Sequence, residues 1–559
     1  MNSPNRQDEN VIEIPDNAPE NTEIAPSTKN PDTIDPATQS FTHVRVPLEK
    51  TQFILVYVGL LLAIMLGALD QTIVATALKS IVAEFGHQDL IPWIGSAYLL
   101  TAAPFGTVYG KFADIFGRKP VFLFSIVTFE VGSLICGASN SMEMLIAGRT
   151  IAGIGGGGMT SMVLIIISDI VSIQDRGKYQ GFSGATFGLS AILGPLLGGA
   201  FSDHISWRWC FFINLPLGVI TIVAVVAFLK FPPTEGSMID KIKRVDIYGA
   251  LLLFASIICL ITPLQLGGTI WEWNAAQVIA MFVVAAVLFV IFAFVELKIA
   301  NEPIIPPEMF VNKSVPALIG ISFCLGAGFL SVAYYISFFF QVVLGYSATI
   351  AGLEIFPVIF GLVTMSVTAG IVTSKTGNYK MFFFIGPILM SIGFALVSLF
   401  TSNTILVKQI FFLFILGLGI GCTLQQRVIA TQASVPRERI AVATATVQTA
   451  NTLGGAIGVA VTGTIVNNLV VSNTASDTAL MSFVSLFIKQ GLPASTSNAL
   501  PLLQMLQSAS ADYPHNDAVA AGVYNETLAA ATTELIAGFN GAFKTAMLAA
   551  LPYPIRAIN

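Results

Sequence analysis

Thirteen stretches of this chain are each long and apolar enough to cross a bilayer, and they constrain the fold more than any other feature. About 20 consecutive apolar residues span the hydrocarbon core. The stretches lie at 53–78, 90–110, 120–138, 143–170, 178–202, 208–231, 246–268, 276–296, 315–341, 349–373, 381–400, 405–430 and 439–470. Only 11% of the 559 residues are charged, against about 25% in a soluble domain. In lipid, backbone polar groups must be satisfied within the segment, so each stretch reads as a helix. The expected fold is an all-α, polytopic membrane protein.

The rest of the chain falls around these spans. Residues 1–50 are rich in Asn, Pro, Asp, Glu and Thr. They offer too little apolar surface to order themselves and read as a disordered cytosolic tail. No apolar h-region precedes the first span, so no cleaved signal peptide is expected. Residues 471–533 read as a long extracellular loop. Residues 534–559 hold a degenerate fourteenth span and tail, carrying Asn540 and Lys544; lysine at mid-span is costly. Loops on one side carry Lys111, Arg118, Lys119, Arg176, Lys178, Lys241, Lys243, Arg244, Lys375 and Lys380, whereas the opposite loops are poor in base. Lys and Arg mark the cytosolic side, which places the N-terminus inside. The sequon at Asn525 then lies outside, available for glycosylation, while that at Asn312 does not.

Several function classes drop out. The five cysteines all lie in apolar stretches without zinc or disulfide spacing, so no metal is expected. No basic tract suits nucleic acid. There is no P-loop and no nucleophile–base set. The expectation is a non-enzyme without cofactor.

The chain echoes itself at an offset near 260. Gly110 and Gly117 match Gly370 and Gly377; Gly153, Gly155 and Gly157 match Gly417, Gly419 and Gly421; Gly194 and Gly198 match Gly454 and Gly458. This implies two six-helix halves with two helices inserted between them. The expected division is 51–232 for the first bundle, 233–300 for the inserted pair and 301–470 for the first five helices of the second bundle. Duplicated bundles of this kind rock about a midplane site.

Gly110–Pro120 reads GKFADIFGRKP. It resembles, at every fixed position, the signature loop between helices 2 and 3 of the major facilitator superfamily, G-x-x-x-D-x-x-G-R-[RK]-x. The resemblance implies conformational gating by Gly110, Asp114, Gly117, Arg118 and Lys119. It further implies that Asp114 lies near the start of the span at 439–470, beside Arg437 or Arg439. The string GATFGLSAILGPLLGG, with Gly184, Gly188, Gly194, Pro195, Gly198 and Gly199, is similar to the antiporter motif of exporters in that superfamily. Small residues four apart also serve plain helix packing. Trp207–Gly218, WRWCFFINLPLG, resembles the helix-6 entrance of fungal fourteen-span drug:proton antiporters. The resemblance covers roughly 51–470. It implies proton-driven efflux of a hydrophobic toxin, drug or secondary metabolite across the plasma membrane, by a monomer. A siderophore transporter, a vacuolar transporter of basic amino acids and a non-transporting sensor on the same fold are the alternatives.

Two charges inside spans stand out. Asp70 and Arg149 sit at similar depth below the same surface, given 1.5 Å of rise per residue. They are expected to pair and to couple protons. Their bland readings are solvation near the rim for Asp70 and snorkelling for Arg149; a static ion pair that only joins two helices is the rival to coupling. Glu130 and Glu354 are the next acids within spans. Tyr334, Tyr335, Gln341, Gln425, Gln448 and Asn451 are candidates for lining a substrate cavity, although each could simply bond a neighbouring backbone.

Overall fold

A computed structural model describes residues 49–86, 90–231, 236–267, 271–300, 302–344, 346, 348–401 and 404–474. All of them lie in the compact unit Val46–Asn559. The helices in order are α1 (Lys50–Phe85), α2 (Ile91–Phe116), α3 (Arg118–Gly137), α4 (Met142–Ile170), α5 (Arg176–His204), α6 (Trp209–Phe212) and α7 (Asn214–Phe228). They continue with α8 (Met238–Lys243), α9 (Ile247–Leu266), α10 (Ala276–Lys298), α11 (Ser314–Val342), α12 (Ala348–Glu354) and α13 (Phe356–Thr376). The last are α14 (Phe382–Val397), α15 (Leu406–Leu424), α16 (Gln426–Ser434) and α17 (Ile440–Thr474).

Every apolar stretch is helical, and 11 helical segments among the described residues meet both length and hydropathy requirements for a membrane span. Three stretches are not single helices. That at 208–231 breaks at Ile213, where Pro216 leaves the Phe212 carbonyl without its N–H. That at 349–373 breaks at Ile355, just before Pro357 in the first turn of α13. That at 405–430 breaks at Gln425 without a proline. The last helix also runs to Thr474, past the expected start of the outer loop at 471. The rest of that loop, Asn525 and residues 534–559 lie outside the described residues.

A few helix starts carry side-chain caps. Ser141 caps α4 by accepting from the Met144 N–H, and Asp246 caps α9 by accepting from the Gly249 N–H. The surface is apolar where a soluble protein would be polar. Val283, Val287, Phe289, Val290 and Phe294 of α10 are all exposed. Such a band is stable only against lipid.

Helix pairing repeats between the halves. α1 packs on α5, α2 on α4 and α3 on α4; α11 packs on α17, α13 on α15 and α14 on α15. Across the halves α5 packs on α13 and α2 on α17, which are equivalent contacts under the same correspondence. The matched glycines occupy matched contacts. A Cβ at Gly153 or Gly157 would strike the α2 backbone, and one at Gly155 would strike α3. A Cβ at Gly417 or Gly421 would strike α13, and one at Gly419 would strike α14. Gly194 and Gly198 lie against α1 as Gly454 and Gly458 lie against α11. Close backbone approach, not chance, accounts for the echo in the sequence.

Candidate functional site

Asp70 of α1 and Arg149 of α4 form a fully buried ion pair, with Arg149 Nη1 2.5 Å from Asp70 Oδ2. Arg149 Nε also donates to the Ile94 carbonyl of α2 at 3.0 Å. The guanidinium lies 4.6 Å from the Tyr98 ring centroid, a cation–π contact in a dry setting. On the other side Asn214 Nδ2 of α7 donates to Asp70 Oδ1 at 3.4 Å and to Ser133 Oγ of α3 at 3.1 Å. Five helices therefore converge on one carboxylate. Arginine keeps its charge in proteins, so the partner able to change protonation is Asp70. Neither bland reading describes these positions: Asp70 is not at a wet rim, and Arg149 does not snorkel. Tyr98 and Asn214 escaped the sequence reading. The signal for Asn214 was a lone amide in an apolar string.

At the lysine- and arginine-rich end, Gly117 closes α2 at φ 95° and turns the chain directly into α3. Arg118 thereby folds back onto Asp114 at 2.8 Å, reaches Asp169 of α4 at 3.0 Å and donates to the Ala113 carbonyl at 2.9 Å. The expected partnership of Asp114 with Arg437 or Arg439 is not what forms. Arg439 pairs with Glu308 at 3.1 Å, and the guanidinium four residues away takes Asp114 instead. The expected helix contact is present one turn earlier, where a Cβ on Gly110 would lie 2.6 Å from that of Ala445 in α17. Lys119 donates to the Val226 carbonyl of α7 at 2.8 Å. Lys111 reaches Glu302, which also holds Arg244 next to the inserted helices, at 3.0 and 2.7 Å. Burial alone would raise the Glu302 pKa, but hydrogen bonds from Arg244 and Lys111 outweigh it and hold the carboxyl below its usual range.

The glycine-rich face of α5 is shared between two neighbours. A Cβ at Gly184 would collide with Ser366 of α13 and lie 2.9 Å from Gln425 Nε2, and one at Gly188 would lie 2.7 Å from Val363. Gly194 and Gly198 face Thr72, Ile73 and Thr76 of α1. Pro195 lies against Gly352 of α12, and Gly199 is half-buried. The motif thus joins α5 to its own half and to the other half at once.

The proposed cavity residues do not form one cluster of free polar groups. Tyr334 is 59% exposed, whereas Tyr335 is buried; their rings meet edge-on at 5.2 Å. Gln425 is buried. Gln448 accepts from Arg427 Nη2 at 3.0 Å, and Asn451 donates to the Ser322 carbonyl at 3.0 Å, tying α17 to α11. The Gln341 side chain lies outside the described residues. Arg427 was missed altogether. It is fully buried in α16, with its other contact to the Val447 carbonyl, and has no acidic partner among the described residues. Thr107 to Thr449 at 2.7 Å and Gln180 to Gln432 at 3.0 Å bridge the two halves.

A duplicated helical bundle with a buried intramembrane ion pair defines a polytopic membrane transporter. Residues 60–459 match the model of the Major Facilitator Superfamily. The "MFS-type efflux pump MFS1" of Arthroderma benhamiae is 39% identical over 75% of this chain and 79% of its own length. "Efflux pump aflT" of Aspergillus parasiticus is 36% identical over 79% of this chain and 86% of its own. "Multidrug resistance protein 3" of Bacillus subtilis is 37% identical over 75% and 80%. Among solved structures, the human organic anion transporter MFSD10 (TETRAN) superposes with a TM-score of 0.54 at 16% identity, covering 74% of this chain and 93% of that one. At that identity the likeness bears on the fold alone. The chain belongs to the Major Facilitator Superfamily. Within it, the chain belongs with the efflux pumps, whose family and fold are those of transporters, not enzymes.

Proposed function

We propose that this protein exports a hydrophobic small molecule across the plasma membrane in exchange for protons, as a monomer with its N-terminus in the cytosol. The buried Asp70–Arg149 pair carries the reading. In the closed pair Asp70 is ionised. A rocking motion that draws Arg149 away leaves a buried carboxylate without its counter-ion, a state too costly to persist unless a proton takes the cation's place. Asp70 then loads a proton from outside, and re-pairing expels it inside. Substrate leaves in the opposite half of the cycle. The glycine contacts of α5 with both α1 and α13 support a shared pivot, and the Arg118 cluster supports a latch at the cytosolic end.

Relatives named "Efflux pump aflT" and "Aspyridones efflux protein" support a toxin or secondary metabolite as cargo. The test uses sealed vesicles and the lipophilic dye ethidium under an imposed pH gradient. Asp70→Asn is expected to abolish gradient-driven efflux while retaining dye binding. Wild-type efflux from well-folded Asp70→Asn would remove Asp70 from the mechanism. A sensor on the same fold would bind dye and move none.

A further inference from the structure

One acid buried beside this site takes no part in the mechanism above. Glu130 lies on α3 and is only 9% exposed, and neither carboxyl oxygen has a hydrogen-bond partner among the described residues. It packs directly onto Gly218 of α7, where a Cβ would overlap the carboxyl. Ser133 is one turn further along α3, and Asn214 is one turn earlier on α7. Those two residues are bonded to each other, and Asn214 is bonded to Asp70. The line Asp70, Asn214, Ser133, Glu130 therefore runs down the seam between α3 and α7. Glu130 is displaced from Ser133 by about 4.5 Å toward the Arg118 end, at 1.5 Å of rise per residue.

Buried titratable or charged groups on the surrounding elements at this level are Asp70 of α1, Tyr98 of α2, Arg149 of α4, Cys210 of α6 and Cys136 of α3 itself. α7 supplies none. The one cation among them is already bonded to Asp70. A carboxylate in apolar surroundings without cation or donor is too costly to persist, so the group takes a proton. Intramembrane acids of this sort mark proton relays.

We infer that Glu130 is a second proton-binding site of the transport cycle, linked to Asp70 and placed on the inward side of it. This rests on the reading of Asp70 as the coupling acid. While Asp70 is ionised against Arg149, Glu130 holds a proton. When Asp70 becomes protonated, the like-charge repulsion that added to the burial cost is relieved, and opening of the cytosolic end lets water remove the rest. Glu130 then releases its proton toward the cytosol. The Asp70 proton passes to the Glu130 carboxylate, leaving Asp70 ionised to re-pair with Arg149. One proton enters and one leaves, and both carboxyls return to their starting forms.

Infrared spectra of the purified, substrate-free protein across a pH titration test this. Wild type is expected to show the carbonyl stretch of protonated carboxylic acid at neutral pH, and the near-isosteric Glu130→Gln is expected to lose the component due to this residue, read from the difference between the two spectra. In Asp70→Asn the same band is expected to disappear at lower pH, because a negative neighbour has gone. Gly218→Ala crowds the carboxyl without touching its chemistry and is expected to shift the band. In vesicles, Glu130→Gln is expected to slow gradient-driven ethidium efflux about tenfold and to alter its pH profile. A protonated-acid band undiminished in Glu130→Gln, or a midpoint of the Glu130 component unmoved by both Asp70→Asn and Gly218→Ala, would overturn the inference. If the band behaves as expected but Asp70→Asn still drives wild-type efflux, the Asp70 reading fails and the Glu130 proton site stands.

Discussion

Gly117 and Gly377 end corresponding helices in the two halves, and both have positive φ, 95° and 70°. Their ψ values differ. Gly377, at −4°, is in the left-handed helical region, whereas Gly117, at 153°, is in a region essentially restricted to glycine. Asn visits the left-handed region readily. Gly377→Asn is therefore expected to be nearly neutral, and Gly117→Asn to cost about 1–3 kcal/mol. Thermal unfolding in detergent compares them. Equal losses at both sites would contradict the backbone account.

Arg118 serves two carboxylates and a carbonyl, Asp169 through Nε and both Asp114 and the Ala113 carbonyl through Nη1. A lysine ammonium has one nitrogen and no fork. Arg118→Lys is expected to keep one of these partners and lose about 1.5–3 kcal/mol. Accessibility labelling of a cysteine placed near the Gly110–Ala445 contact is expected to rise. Unchanged labelling would mean that the cluster does not hold this end shut.

Glu84, at the opposite end, receives both arms of Arg208 at 2.8 and 2.9 Å and the Trp207 indole N–H at 2.8 Å. The bonds from Arg208, then that from Trp207, hold its carboxyl below the usual range. A depressed acid contributes stability that is complete above its unfolded value, about 4.3, and is lost as pH falls through the folded value. The stability advantage of wild type over Glu84→Gln is thus expected to be constant near neutrality and to vanish in acid. Melting curves at stepped pH would show it. An advantage that survives strong acid would point to packing instead.

Gly157 and Gly421 face backbone that cannot yield, at Ala102 and Leu362 respectively. Gly157→Leu and Gly421→Leu are both expected to prevent recovery of monodisperse protein. Gly320 of α11 has open space around it, and Gly320→Ala is expected to gain about 0.5–1 kcal/mol from helix propensity. Size-exclusion profiles and melting temperatures distinguish the cases. Tolerance of leucine at either buried site would undo the close-packing explanation of the repeat.

Much of this protein was written locally. Bilayer thickness fixes a length and a polarity for each span, so the helices could be read from runs of apolar residues. The duplication was legible because close helix contacts demand glycine, and a duplicated fold demands it twice. The depth of Asp70 and Arg149 followed from helical rise alone. Partner choice did not follow. Depth along a helix says nothing of rotation about its axis, so Asn214, Tyr98 and Ser133 joined the ion pair only once five helices had packed. The same ignorance of rotation gave Asp114 a distant arginine when the Gly117 turn supplied a near one. It hid Arg427 and left Glu130 as an ordinary intramembrane acid. What makes Glu130 distinctive is that no donor or cation among the described residues meets it, and that depends on every neighbour at once. Sequence determined which segments enter the membrane and where they must touch. Only the tertiary structure decided which buried charges meet a partner and which, like Glu130, meet none among the described residues.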